Sequence, residues 1–81
     1  MKTAIVTGAG AGIGKAICQK LSQNNYRIGM LDLNEENVNE ASKGIKNSVP
    51  LNGDVTNQES IKKAFEKFGE IPDLLVNNAG I

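Results

Sequence analysis

Histidine and tryptophan are absent from this 81-residue sequence, and cysteine occurs once, at Cys18. A single cysteine cannot form an internal disulfide, and without histidine the chain has no conventional set of zinc ligands. Nine basic and nine acidic residues give a formal net charge of zero, so the composition predicts no nucleic-acid or membrane-binding patch. No apolar run approaches the ~20 residues of a membrane span, and we expect a cytoplasmic protein.

Glycine, by contrast, is concentrated near the start of the chain. Four glycines stand between Gly8 and Gly14, directly after the apolar stretch 4–6. Glycine accepts the positive φ of a tight turn and lets a ligand approach the backbone closely. A helix that begins near Gly12 would aim unpaired N–H groups and a positive dipole end at the same place. This pattern predicts a strand, a turn and a helix that hold a diphosphate; the alternative is an ordinary turn with close packing.

The glycine spacing separates the known phosphate-binding motifs. A Walker A loop is excluded because Ala9 stands at its first glycine and Ala16 at its hydroxyl residue. The fingerprint G-x-G-x-x-G fails because Ile13 or Lys15 occupies its last glycine in the two possible registers. The pattern that fits is Thr-Gly-x-x-x-Gly-x-Gly, over residues 7–14.

Polar residues follow each of the other predicted strands, which are 27–31, 49–52 and 74–76. Asp32 comes about 18 residues after the last glycine, close to the ~20 expected for an acid that binds an adenosine ribose. Open α/β sheets bind ligands at the carboxyl ends of their strands. We therefore predict a ligand site built from the glycine turn and the residues after these strands, which include Asp32, Asp54 and Asn77.

The fold class follows from the alternation of strands and helices. We predict an α/β fold: a partial Rossmann-type doubly wound parallel sheet with four strands in the order 3-2-1-4 and three helices. Asn34 is expected to cap the second helix, Thr56 with Glu59 to form a capping box on the third, and Gly69 to end it. The apolar positions of the three helices are expected to be core; they are Ile13, Ile17, Leu21, Val38, Ala41, Ile45, Ile61, Ala64, Phe65 and Phe68.

The motifs at 7–14, Asp32, Asp54-Val55 and 77–80 (Asn-Asn-Ala-Gly) together resemble the classical short-chain dehydrogenase/reductase family, from end to end of the chain. The resemblance implies that the cofactor diphosphate lies among Gly8, Gly12, Ile13 and Gly14. It implies that Asp32 and Leu33 flank the adenosine ribose and that Asp54 and Val55 edge the adenine. It also implies that Asn77, Ala79 and Gly80 lie beside the ribose and that Asn77 braces the central strand.

The family's catalytic Ser and Tyr-x-x-x-Lys motif are not found here. The only tyrosine is Tyr26, and the residue four positions later is Met30. The resemblance therefore implies that residues 1–81 are the N-terminal part of one NAD(P)-binding domain, inactive alone. The complete enzyme would move a hydride between nicotinamide and a carbonyl or secondary alcohol substrate, as a homodimer or homotetramer. A dinucleotide-binding module or sensor without turnover is the alternative.

The choice of cofactor rests on Asp32. A carboxylate accepts hydrogen bonds from both ribose hydroxyls but repels a 2′-phosphate. The glycine turn offers no arginine or lysine between Gly8 and Gly14, and Leu33 and Asn34 follow the acid. The sequence predicts NAD in preference to NADP.

Overall fold

Parallel strands alternate with helices along the whole of the described chain. The computed structural model describes residues 1–79. The sheet order is β3-β2-β1-β4, with every neighbouring pair parallel, which confirms the predicted topology. The elements are β1 Thr3–Thr7, α1 Gly12–Gln23, β2 Arg27–Asp32, α2 Glu35–Lys43, β3 Ser48–Asn52, α3 Gln58–Phe68 and β4 Leu74–Val76.

The helices cover the two faces of the sheet unequally. Neighbouring residues of a strand point to opposite faces, so Val6 packs with the buried side chains of α1 and α2, whereas Ile5 packs with those of α3. Cys18 and Val38 lie in the first cluster, and Phe68 lies in the second. Every residue of β1 is buried. β1 is therefore a fully buried strand, and its pairing with β2 and β4 fixes where those two strands end.

Helix ends agree with the sequence at two positions and correct it at a third. The Asn34 side chain caps α2 by accepting a hydrogen bond from the Asn37 amide at 2.9 Å, as predicted. Gly69 ends α3 in the left-handed conformation with φ of 89°. The predicted capping box at Thr56 is wrong, because Asn57 caps α3 and the Thr56 hydroxyl donates to Asp54.

The predicted core stripe of α1 is also wrong at its first position. Ile17 and Leu21 pack against the core, but Ile13 is 71% exposed. It lies in the first turn of α1, which begins at Gly12 directly after the glycine turn. The equivalent stripes of α2 and α3 do pack on the sheet, so the error is confined to the edge where the glycine turn meets the helix.

Cys18 is a packing residue in this fold. Its side chain is fully buried between α1 and the sheet, and burial raises the pKa of its thiol to about 12. The described residues contain no group of His, Cys, Asp and Glu that could hold a metal ion. Each helix within 1–79 is too short or too polar to cross a membrane.

Candidate functional site

A cleft of about 240 Å³ opens at the carboxyl ends of the strands. The structure brings six of the residues singled out from the sequence to its walls: Gly8, Asp32, Leu33, Asp54, Val55 and Ala79. Four others do not line the cleft: Gly12, Ile13 and Gly14 are in the first turn of α1, and Asn77 directly follows β4. Gly80 lies outside the described residues.

The glycines of the turn have different physical roles. Gly8 has φ of +64°, and a Cβ there would stand 2.9 Å from Asn78 Nδ2. Gly12 has φ of +57° but faces open space, so backbone conformation alone favours glycine there. A Cβ on Gly14 would overlap the carbonyl oxygen of Gly8, so this glycine lets α1 pack against the turn. The motif therefore combines positive φ, at Gly8 and Gly12, with close packing, at Gly8 and Gly14; the close approach of a ligand stays a prediction.

The start of α1 differs from the starts of the other two helices. Asparagine side chains cap α2 and α3, and both helices carry glutamate in their first turn. At α1 the capping position is Ala11, no side-chain cap is made, and the first turn holds no acidic residue. Its first N–H groups and dipole end are therefore available to an external anion, as in dinucleotide and phosphate sites.

Asp32 is held by two backbone amides. Its Oδ2 accepts from the Gly10 amide at 2.7 Å, and its Oδ1 accepts from the Asn34 amide at 2.9 Å. An ionised carboxylate has about four acceptor positions, so two remain for a ligand's hydroxyl groups. A Cβ on Gly10 would stand 2.8 Å from Asp32 Oδ2. Sequence reasoning missed this contact, because Gly10 is not required by the glycine spacing.

Asp54 also lines the cleft, and its carboxylate forms a local turn with Thr56. Its Oδ1 accepts from the Thr56 hydroxyl at 2.7 Å and from the Thr56 amide at 2.9 Å. These two bonds, the hydroxyl first, lower the pKa of the Asp54 carboxyl. Among the described residues that line the cleft there are two carboxylates and no lysine or arginine. The cleft therefore favours neutral hydroxyl groups over a phosphate at this end.

Thr7 connects the central strand to the segment after β4. Its Oγ1 accepts from the Ala79 amide at 3.0 Å and lies 3.3 Å from Asn77 Oδ1 and 3.4 Å from the Val76 carbonyl oxygen. Asn78 Nδ2 donates to the Gly8 carbonyl at 3.3 Å. The Asn77 side chain thus contacts Thr7, the last residue of β1. Asn78 was missed, and its amide joins the two motifs of the site directly.

Comparisons with known proteins agree with this geometry. A family model described as short chain dehydrogenase matches residues 2–81. A diacetyl reductase [(S)-acetoin forming] of Staphylococcus epidermidis is 36% identical over 99% of the chain, which covers 34% of that protein. A 3-oxoacyl-[acyl-carrier protein] reductase from Brucella melitensis, solved with bound NAD, superposes with a TM-score of 0.86 at 30% identity. That match covers 95% of this chain and 31% of the other.

A 3-oxoacyl-[acyl-carrier-protein] reductase of Buchnera aphidicola is 35% identical over 99% of the chain and is covered to 35% of its own length. The chain thus spans about a third of the length of the curated relatives that it matches. The match includes the glycine turn, Asp32 and the segment after β4.

Proposed function

The chain belongs to the short-chain dehydrogenase family, and from that premise we propose that it is the cofactor-binding part of an NAD(H)-dependent oxidoreductase. The first turn of α1 supports the proposal, because among the three helices within residues 1–79 it is the one without a side-chain cap. The nicotinamide of the bound cofactor would supply or accept the hydride, with a carbonyl or secondary alcohol as substrate. We extend the proposal to residues 1–81 as the N-terminal portion of a single domain.

The proposed roles of the residues follow the walls of the cleft. Backbone groups at Gly8, Gly12, Ile13 and Gly14 bind the diphosphate, where the dipole of α1 favours negative charge. The exposed Ile13 side chain covers the cofactor instead of packing in the core. Val55, which is 43% exposed, and Asp54 edge the adenine. Asn77 and Ala79 lie beside the ribose.

The observation that carries the choice of NAD is the geometry of Asp32. Its carboxylate is fixed by Gly10 and Asn34, and its two remaining acceptor positions match the 2′- and 3′-hydroxyls of an adenosine ribose. A 2′-phosphate would place two anionic groups in contact without a cation among the described lining residues. NADH is therefore expected to bind more tightly than NADPH.

Calorimetric titration of the intact protein with NADH and NADPH tests this function. We expect saturable binding that favours NADH, and we expect Asp32→Ala to weaken NADH binding by about tenfold and NADPH binding by much less. Glu36→Ala removes an exposed carboxylate from the first turn of α2 and is the matched control. Equal weakening of both cofactors by Asp32→Ala would contradict the assignment of NAD, and no binding to the wild type would contradict the function.

A further inference from the structure

Asn52 lies on β3 beside the acid of the proposed ribose site, yet it belongs to none of the motifs described above. It is the last residue of β3 and pairs in register with Asp32, the last residue of β2. Its side-chain Nδ2 donates to two carbonyl oxygens, those of Asp32 at 3.1 Å and Leu33 at 3.0 Å. Both of its N–H donors are thus directed at the backbone that carries the acid.

These bonds act where regular pairing stops. β2 ends at Asp32, so the Leu33 carbonyl lies outside the strand ladder. The Gly53 amide also donates to the Asp32 carbonyl, at 3.1 Å. The loop that leads from Asp32 to the Asn34 cap is therefore held on its carbonyl side by the end of β3. The amide of Gly10 holds the Asp32 carboxylate from the turn after β1.

We propose that Asn52 is a positioning residue for cofactor selection: its carboxamide holds the backbone of Asp32 and Leu33 so that the carboxylate faces the ribose. The inference rests on the proposed function, because it assumes that Asp32 receives the ribose hydroxyls. The carboxamide supplies two donors at once, and a carboxylate, hydroxyl or alkyl group at this position cannot do so.

The experiment compares Asn52→Ala with Asn57→Ala in the intact protein. Asn57 caps α3 through the Ser60 amide at 3.0 Å, so its replacement weakens a helix without touching the Asp32 loop. We expect Asn52→Ala to lower the affinity for NADH about fivefold and that for NADPH less than twofold, which narrows the preference for NADH. Asn57→Ala is expected to lower the midpoint of thermal unfolding and to leave the preference unchanged.

A second measurement does not depend on cofactor. The Asn34 amide donates to Asp32 Oδ1 at 2.9 Å, so its hydrogen exchange reports on the order of this loop. We expect faster exchange at Asn34 in Asn52→Ala and unchanged exchange there in Asn57→Ala. An unchanged NADH preference together with unchanged exchange at Asn34 would overturn the role of Asn52. Absence of NADH binding by the wild type would instead overturn the proposed function, while the exchange result would still decide whether Asn52 orders the loop.

Discussion

The two sides of β1 are built differently. On one side, β2 pairs with the whole of β1, and residues 28–31 are buried from both faces. On the other side, β4 pairs with β1 over residues 4–6 alone, and Leu75 is 54% exposed. Apolar burial therefore holds the β2 side, at roughly 25 cal/mol for each Å² removed from water. The β4 side receives much less of this stabilisation.

Hydrogen bonds at both ends of β4 compensate in part for the smaller apolar burial on this side of β1. At its start, the Thr3 amide donates to Asp73 Oδ2 at 2.9 Å, and the Asp73 amide donates back to Thr3 Oγ1 at 3.2 Å. At its end, Thr7 Oγ1 accepts from the Ala79 amide. Both threonines are buried, with 3% and 5% exposure. The short strand β4 is thus held in place by hydrogen bonds from Thr3 and Thr7 of β1, whereas β2 is held in place by apolar packing.

The largest expected effect on stability is at Gly14, which contacts both the turn after β1 and the segment after β4. A Cβ there would overlap the Gly8 carbonyl and stand 2.8 Å from Asn78 Nδ2. Gly14→Ala must therefore shift α1, the turn and the segment after β4 together, and we expect it to lower the free energy of unfolding by about 3 kcal/mol. Urea unfolding followed by circular dichroism measures this. Gly44→Ala, at a position with open space around it, is the control, and equal effects of the two changes would contradict the packing role.

Replacement of Thr7 separates the two ends of β4. Thr7→Val keeps the shape but removes the acceptor of the Ala79 amide, which is expected to cost about 0.5–1.5 kcal/mol of unfolding free energy. It is also expected to weaken NADH binding, because the segment after β4 borders the cleft. Thr3→Val, at the opposite end of the strand, should reduce stability without a change in NADH affinity. Calorimetric titration of both variants decides the point, and a similar loss of affinity in both would remove the distinction between the ends.

Arg27 offers a test on the β2 side. Its guanidinium lies 4.2 Å from the Phe68 ring centroid, donates to the Phe68 carbonyl at 3.0 Å and pairs with Glu70 at 2.9 Å. Lysine keeps the charge but loses the planar fork, so Arg27→Lys is expected to lower the unfolding free energy by about 0.5–1 kcal/mol. Urea midpoints measure the loss. Lys43→Gln removes the exposed pair with Glu40 and should change the midpoint by less; the reverse order would contradict the assignment.

The smallest effect on stability is expected at Asp54, which follows β3 on the β2 side of the sheet and whose carboxylate, within residues 1–79, forms hydrogen bonds only with the nearby Thr56. The Thr56 hydroxyl and amide lower the pKa of Asp54, so the resulting stabilisation is present above the ordinary carboxyl pKa and is lost as the pH falls through the lowered value. Thr56→Val is expected to raise the pKa of Asp54 toward its ordinary value, and Thr56→Ser to leave it low. Titration of the side-chain carboxyl signal by NMR measures both, and identical titration curves would show that the hydroxyl has no effect.

Features set by local chemistry could be predicted from the sequence. The alternation of strands and helices, with right-handed crossovers, predicted the order 3-2-1-4, and asparagine before an acidic first turn predicted the Asn34 cap. Thr56 was misassigned because a hydroxyl that can cap a helix can equally bond a neighbouring carboxylate, and Asp54 is two residues away. Ile13 fits the helical period of the core, but periodicity does not show at which residue a helix begins to pack against the sheet.

The missed contacts share one physical cause, since each joins residues far apart in the chain. Gly10 meets Asp32, and Asn78 meets Gly8, only after the strands are in register. Asn52 reaches the backbone of Asp32 because β2 and β3 end at the same level. No local pattern encodes such distances. The rule for open α/β sheets predicts the edge at which these residues meet, but not the hydrogen bonds across it.

The position of β1 in the sheet has a consequence for the order of assembly during synthesis. β1 leaves the ribosome before β2, β3 and β4, yet its neighbour on one side, β4, begins at Leu74. At roughly 5–20 residues per second, several seconds of elongation separate the two strands, and the closing loop is long. Through that interval β1 can pair with β2 while its other edge stays open to any extended segment nearby. β1, an interior strand of the described sheet, therefore has one unpaired edge until β4 has been synthesised. An unpaired strand edge can pair with another chain, so the tendency to aggregate is highest during that interval.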